Sequence, residues 1–185
     1  MLRYRLRILL TGKDVRLSNE DPQIGAAEFR RALGCFATGV AVVTTLDANG
    51  KRTGMTVSSF NSVSIDPPLV LWSIANDANS YDAFVNAEHF AVNVLTIGQR
   101  ELSDRFAGKK LDKFEGIECD EGLHGIPILP AYAVCFECRT EHLYEGGDHK
   151  IIVGRVLRVE DRDEDPLIYY RGQFHGKGAP RPGGT

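Results

Sequence analysis

Gly54-Met55-Thr56-Val57-Ser58-Ser59-Phe60-Asn61-Ser62-Val63-Ser64-Ile65-Asp66-Pro67-Pro68-Leu69 decides the reading of this chain. The segment sets hydroxyl side chains at Thr56, Ser58, Ser59, Ser62 and Ser64 between a glycine and a Pro-Pro break. Hydroxyls and free backbone N–H groups at strand ends can hold a phosphate or a flat polar ring without a strong local charge. The same pattern also suits a Ser/Thr-rich strand pair joined by ordinary turns.

Reading outward, Val40 to Leu46 is rich in β-branched residues and predicts a strand. Asp47-Ala48-Asn49-Gly50 supplies a hairpin turn, and Arg52 to Val57 returns. Val63 and Ile65 lie on a third strand, and Leu69 to Ile74 is a nearly continuous apolar strand of the kind buried in a sheet. Upstream, Asp21-Pro22 opens a helix whose apolar face carries Ile24, Phe29, Ala32, Leu33 and Phe36, with Gly39 as its end. Downstream, Asn79 or Ser80 caps a helix through about Asn86, His89 to Leu95 is a strand, and Gln99 to Phe106 is a short helix. Residues 108–131 read as irregular; 132–144, 150–160 and 167–170 read as late strands. Many strands, tight turns and few short helices predict a mainly β fold, a β-barrel with peripheral helices.

With 185 residues the chain fits one domain with a sizeable core. A net charge of −3 argues against a nucleic-acid partner, and no run approaches the roughly twenty apolar residues of a membrane helix. Residues 1–20 hold five basic and two acidic side chains and read, as 1–22, as a flexible extension. Residues 23–175 form the domain, and 176–185, rich in Gly and Pro, read as a disordered tail. The Cys135-x-x-Cys138 pair falls inside a strand, where side chains three apart face opposite ways. With no second pair at zinc-ribbon spacing, no metal is expected, and the thiols fit a reducing, cytoplasmic compartment.

Several further stretches follow in a fixed order: Phe36-Ala37-Thr38-Gly39, Asn79-Ser80-Tyr81, Arg105-Phe106-Ala107-Gly108, Gly147-Asp148-His149 and Tyr169-Tyr170-Arg171-Gly172. Together with the 54–69 segment they make the chain, from about Phe29 to Phe174, resemble the short-chain flavin reductases, the reductase components of two-component flavin monooxygenases. The resemblance implies a homodimeric split β-barrel with the flavin site near the subunit interface. It implies ring contacts from the backbone of Thr56, Val57 and Ser58, and phosphate contacts from Ser59, Ser80 and Arg105. Thr38, Phe106 and Ala107 are implied flavin neighbours, Phe106 either covering the ring or packing under it. His149, steadied by Asp148, would orient the nicotinamide, with Tyr170 and Arg171 near the same mouth. Ser80 as a helix cap, Thr38 as a capping hydroxyl, Phe106 as a core aromatic and His149 as a turn residue are the structural alternatives.

On this reading NADH or NADPH reduces FMN or FAD by hydride transfer to N5, and reduced flavin diffuses to a partner monooxygenase. No side-chain acid, base or nucleophile is required, and no Gly-x-Gly-x-x-Gly follows a strand to make a Rossmann pocket. The alternatives are a flavin-retaining electron-transfer protein of the same fold, and a split barrel that holds haem, with His89, His124 or His142 as ligand, or another ligand.

Overall fold

The computed structural model describes residues 24–109 and 112–176. The expected extension and nearly all of the expected tail, like the Asp21-Pro22 helix start, lie outside the described residues. Helix α1 (Ala26–Leu33) leads to strands β1 (Thr38–Gly39), β2 (Ala41–Leu46), β3 (Arg52–Val57), β4 (Asn61–Ser64) and β5 (Leu69–Ala75). Helix α2 (Tyr81–Val85), strand β6 (His89–Val94) and helix α3 (Arg100–Ala107) follow. Short strands β7 (Asp120–Glu121) and β8 (Pro127–Ile128) precede the long hairpin of β9 (Val134–Gly146) and β10 (His149–Asp161). A last hairpin joins β11 (Ile168–Tyr170) to β12 (Gln173–His175).

Seven strands pair antiparallel in the order β3-β2-β6-β9-β10-β5-β4. The two edge strands, β3 and β4, are consecutive in the chain, linked only by Ser58, Ser59 and Phe60. Flat, the sheet would hold its edges about 29 Å apart, since neighbouring strands are about 4.8 Å apart. The span from Val57 to Asn61 reaches at most about 14 Å. The sheet therefore curls until its edges approach, although no ladder joins β3 to β4 among the described residues.

Curling gives the sheet two apolar faces. One cluster is built from Val43, Val92, Trp72, Phe84, Phe90 and Ile152; Phe84 meets the Trp72 ring edge-on, 4.9 Å between centroids at 81°. The other face packs Val42, Leu95, Phe106, Leu129 and Leu167 beneath α3. Cys138 belongs to the first cluster, and Cys135 to a third with Ile126 and Tyr132, so the two thiols lie on opposite faces as the period-2 argument requires. Burial pushes the Cys135 thiol up to about 12 and the Cys138 thiol up as well, which keeps both unreactive.

Three expectations need correction. The first helix ends at Leu33, capped by Gly34, and Gly39 lies in β1. Thr38 is consequently a strand residue paired with Tyr169, in a small sheet of β1, β11 and β12. The tight turn at Arg171 (φ 49°) and Gly172 (φ 78°) makes β12, which has no Asn-Gly signal to announce it. None of the α1 residues is buried; Phe29, Leu33 and Phe36 stand exposed, the last at 71%.

The β9–β10 ladder slips between Val153 and Gly154, leaving Glu141 as an unpaired bulge residue. Its carboxylate accepts two bonds from Arg155 (2.7 and 3.1 Å) and one from Arg139 (3.2 Å). Arg155, then Arg139, hold this carboxyl down to about 2. A carboxyl lowered in the folded state stabilises above its ordinary value of 4.5, and that contribution is lost as pH falls from there toward 2. Glu141→Gln should therefore flatten the loss of stability in this window, measured by denaturant unfolding; curves parallel to wild type would refute the clamp.

Gly154 faces the Phe90 ring. A Cβ there would overlap Phe90 Cζ and stand 3.1 Å from Cys138 Cβ, with no flexible atom to yield. Gly154→Ala should cost about 1–3 kcal/mol by overpacking, read as a lower denaturation midpoint at unchanged slope. An unchanged midpoint would show that the core relaxes around the methyl group.

Candidate functional site

Strand β3 is an edge strand, so only alternate residues exchange hydrogen bonds with β2 and the other N–H and C=O groups face outward. Two clefts open along it. The larger, about 1010 Å³, lies between the β2–β3 hairpin, the segment from Asp77 to Glu88, and the stretch after α3. The smaller, about 630 Å³, lies between the end of β3, α3 and the β11–β12 hairpin. Thr56 and Ala107 line both, so the clefts meet at the open edge of β3. Their size suits a small-molecule or cofactor site.

The local sequence explains the shape. Gly54 admits the Phe106 ring: a Cβ would lie 2.6 Å from Phe106 Cε1 and 3.1 Å from Phe114 Cζ. Phe106 is completely buried and meets Phe114 edge-on at 5.0 Å, so it packs under the strand as a core aromatic. Thr56 donates its hydroxyl to the Ser103 carbonyl at 2.7 Å and ties β3 to α3. Val57 and Ser58 line the smaller cleft, together with the tilted Tyr169–Phe174 pair, whose centroids are 5.2 Å apart.

Ser80 lines the larger cleft. It precedes α2 but makes no side-chain capping bond; its hydroxyl points at Met55 Sδ, 3.6 Å away, a weak acceptor. Helix α2 has only five residues, too few for its terminus to serve as an anion site of its own. Lys113, in the stretch that reads as irregular in sequence, enters the same cleft and donates to the carbonyls of Phe106 (2.7 Å) and Gly54 (3.3 Å). Nothing local marks it, because Gly54 is 59 residues away along the chain.

Other sequence-selected residues stand outside both clefts. Ser59 donates to the Ser73 carbonyl (3.2 Å) and accepts from the Ser73 N–H (2.9 Å), latching the β3–β4 link to β5. Arg105 turns to the Glu115 carbonyl and lines a separate depression with Gln99 and Leu102. Thr38 sits in β1. Arg171 donates to the Tyr170 hydroxyl (2.9 Å) and to Cys35 Sγ (3.2 Å), tying the β11–β12 turn to the end of α1.

Asp148 and His149 form the tip of the β9–β10 hairpin, where Gly147 takes φ 76°. His149 Nδ1 lies 2.7 Å from Asp148 Oδ1, a bond that holds the Asp148 carboxyl below its usual range. Asn76 donates its N–H to the Asp148 carbonyl (3.0 Å) and its side-chain amide to Gly147 (3.3 Å). The tip is thus moored to the segment that runs on into the wall of the larger cleft.

Among the described residues no histidine lines either cleft. His89 and His124 stack on each other at 3.7 Å; burial, then the His124 neighbour, push His89 below its ordinary value. Among the described residues no cluster of three or more His, Cys, Asp or Glu side chains suits a metal ion, and no helix is long and apolar enough to cross a membrane.

The joined clefts thus gather an open strand edge, the hydroxyls of Thr56, Ser58 and Ser80, and the cations Lys51, Arg52, Lys109 and Lys113. The flavin reductase like domain model matches residues 33–178, and the chain belongs to that family. It is 45% identical over 166 residues to FMN reductase (NADH) SmoA of Agrobacterium fabrum, covering 86% of this chain and 93% of that protein. It is 39% identical over 154 residues to the reductase subunit HsaB of a flavin-dependent monooxygenase from Rhodococcus jostii, covering 83% and 78%. Among solved structures, the NADH:FAD oxidoreductase SgcE6 of Streptomyces globisporus, in complex with NAD and FAD fragments, superposes with a TM-score of 0.79 at 34% identity, covering 85% and 94%. A longer flavin reductase relative from Rhizobium meliloti is matched over only 47% of its length.

Proposed function

We propose that this chain is an NAD(P)H:flavin oxidoreductase that reduces FMN or FAD and passes the reduced flavin to a flavin-dependent monooxygenase. The observation that carries this reading is the open edge of β3, exposed to two joined clefts at Thr56 and Ala107. Outward N–H groups of that edge suit the carbonyls and N5 of an isoalloxazine ring, and the joined clefts have room for the ring and its phosphate. The relatives' names support the same chemistry.

When bound, flavin and nicotinamide supply the redox chemistry themselves, a hydride passing from nicotinamide C4 to flavin N5. The residues supply position. Thr56, Val57 and Ser58 hold the ring along β3, and Ala107 leaves space where a larger side chain would block the join between clefts. Ser80 offers to the phosphate a hydroxyl that otherwise donates to the weak acceptor Met55 Sδ. His149, locked by Asp148, orients the nicotinamide from the hairpin tip. Phe106 sets the floor under Gly54. Thr38, Ser59, Arg105, Tyr170 and Arg171 act from outside the clefts, by holding the walls.

The fold is a split β-barrel, supported by the three-residue link between edge strands. A homodimer is supported by the exposed apolar residues of α1, with Leu157 and Val159 of β10, which a second copy would cover. Four free cysteines support a cytoplasmic setting. The haem reading draws no support from clefts without a histidine.

Oxidation of NADH or NADPH by the purified protein, followed by nicotinamide absorbance with added FMN, FAD or riboflavin, should saturate in the added flavin. A bound chromophore that neither nicotinamide reduces would favour the electron-transfer reading, and no turnover with any flavin would overturn the reductase. Replacing His149 with Ala should raise the KM for NADH roughly tenfold while flavin affinity changes little. Equal loss of both, or no kinetic effect, would remove His149 from the nicotinamide site.

A further inference from the structure

The hairpin tip that carries His149 is held from fewer directions than the body of the sheet. Strand β9 pairs with β6 only as far as Arg139, so beyond Thr140 the β9–β10 stem has a sheet neighbour on one side alone, β5. Both ladders of β10 end at His149, which faces Gly146 on β9 and Ala75 on β5. Past them lies the two-residue turn Gly147-Asp148, preceded by a second glycine, Gly146. Adjacent glycines leave the backbone more freedom than any other pair of residues, and ordering the turn removes that freedom.

The imidazole shares this looseness. His149 Nδ1 is bonded to Asp148 Oδ1 at 2.7 Å, but the Asp148 side chain is 94% exposed, so little packing fixes it. The ring is therefore placed only as well as the turn backbone is placed. Asn76, the first residue after β5, holds that backbone. It donates its main-chain N–H to the Asp148 carbonyl (3.0 Å) and its side-chain amide to the Gly147 carbonyl (3.3 Å), so one residue spans both carbonyls of the turn. The main-chain bond is open to any residue except proline, whereas the second bond needs the side-chain amide.

Asn76 also connects the tip to the site. From it the chain runs through Asp77, Ala78 and Asn79 to Ser80, all in the wall of the larger cleft. Bonds from the Ala78 N–H to the Ala75 carbonyl (3.0 Å) and from the Tyr81 N–H to the Ala78 carbonyl (2.9 Å) wind this run into successive turns. The path from the cleft wall to the imidazole thus passes through Asn76.

We propose that Asn76 is a positioning residue for the nicotinamide: its amide fixes the Gly147-Asp148 turn, and through the Asp148–His149 bond the imidazole, against the wall of the larger cleft. The proposal rests on the flavin reductase reading and on the place of His149 in it. The stretch Asn79-Ser80-Tyr81 that carries the family resemblance begins three residues later, and Asn76 belongs to none of the quoted motifs.

Order and kinetics test it together. In flavin-free protein the amide nitrogen order parameters of Asp148 and His149 should lie near the rigid value of about 0.85, and fall toward about 0.6 in Asn76→Ala. In turnover, Asn76→Ala should raise the KM for NADH about three- to fivefold, the scale of one neutral hydrogen bond, with kcat and flavin affinity each within about twofold of wild type. In a His149→Ala background the same substitution should add nothing, because the group it positions is gone. Additive effects in the double variant, an unchanged KM, or unchanged order parameters in Asn76→Ala would overturn the positioning role while the reductase reading stands. A wild-type protein that oxidises no nicotinamide with any flavin would overturn that reading, and this proposal with it.

Discussion

Ser58, Ser59 and Phe60 are all that joins one edge of the seven-stranded sheet to the other, and the rest of the molecule accommodates that short span. A sheet bent this far has a crowded inner face. There the chain uses Gly154 opposite Phe90, because a ring of that size on β6 leaves no room for a Cβ on β10. It also bulges the β9–β10 ladder at Glu141, and a bulge adds local twist. The Ser59 hydroxyl, bonded in both directions to Ser73, latches the link to β5. Curl, glycine, bulge and latch are four responses to one constraint.

The same constraint creates the site. Because β3 approaches β4 without pairing to it, its outer backbone groups stay available in a position that would otherwise be a sheet interior. Helix α3 covers one side through Phe106 and Thr56, and the segment 77–88 covers the other. On the proposed reading such a site would select by shape and by hydrogen bonds to a planar ring, with backbone donors fixed by the fold itself. On the same reading the side chains add the Ser80 hydroxyl and an imidazole held by Asp148 at the hairpin tip.

Legibility in the sequence follows the range of the interaction. Strands β2, β5 and β6 are readable because β-branched and apolar runs are local signals. The two-residue strands β1, β7 and β8 carry too few residues to show a period. Thr56, Val57, Ser58, Ser80 and Ala107 are chosen through the resemblance to the flavin reductases, and the fold gathers them at the two clefts. Arg105 illustrates the limit: its type suits a phosphate, but its direction depends on Glu115, in a loop with no regular pattern. Lys113 is the converse, an unremarkable lysine until Gly54 and Phe106 are brought beside it.

The placement of α1 extends this logic beyond the single chain. The helix buries none of its residues, and its mooring runs through Gly34 and Cys35 to Arg171. An isolated helix of eight residues is marginal in water, and helices of this length persist by packing an apolar face. Its apolar side chains stand exposed among the described residues, and this is the surface that the proposed second copy would cover. The β11–β12 turn that holds α1 through Arg171 also lines the smaller cleft through Gly172 and Phe174. A second copy that packs on α1 would thereby steady a wall of the smaller cleft, and in the proposed homodimer association and ligand binding would be linked through one hairpin.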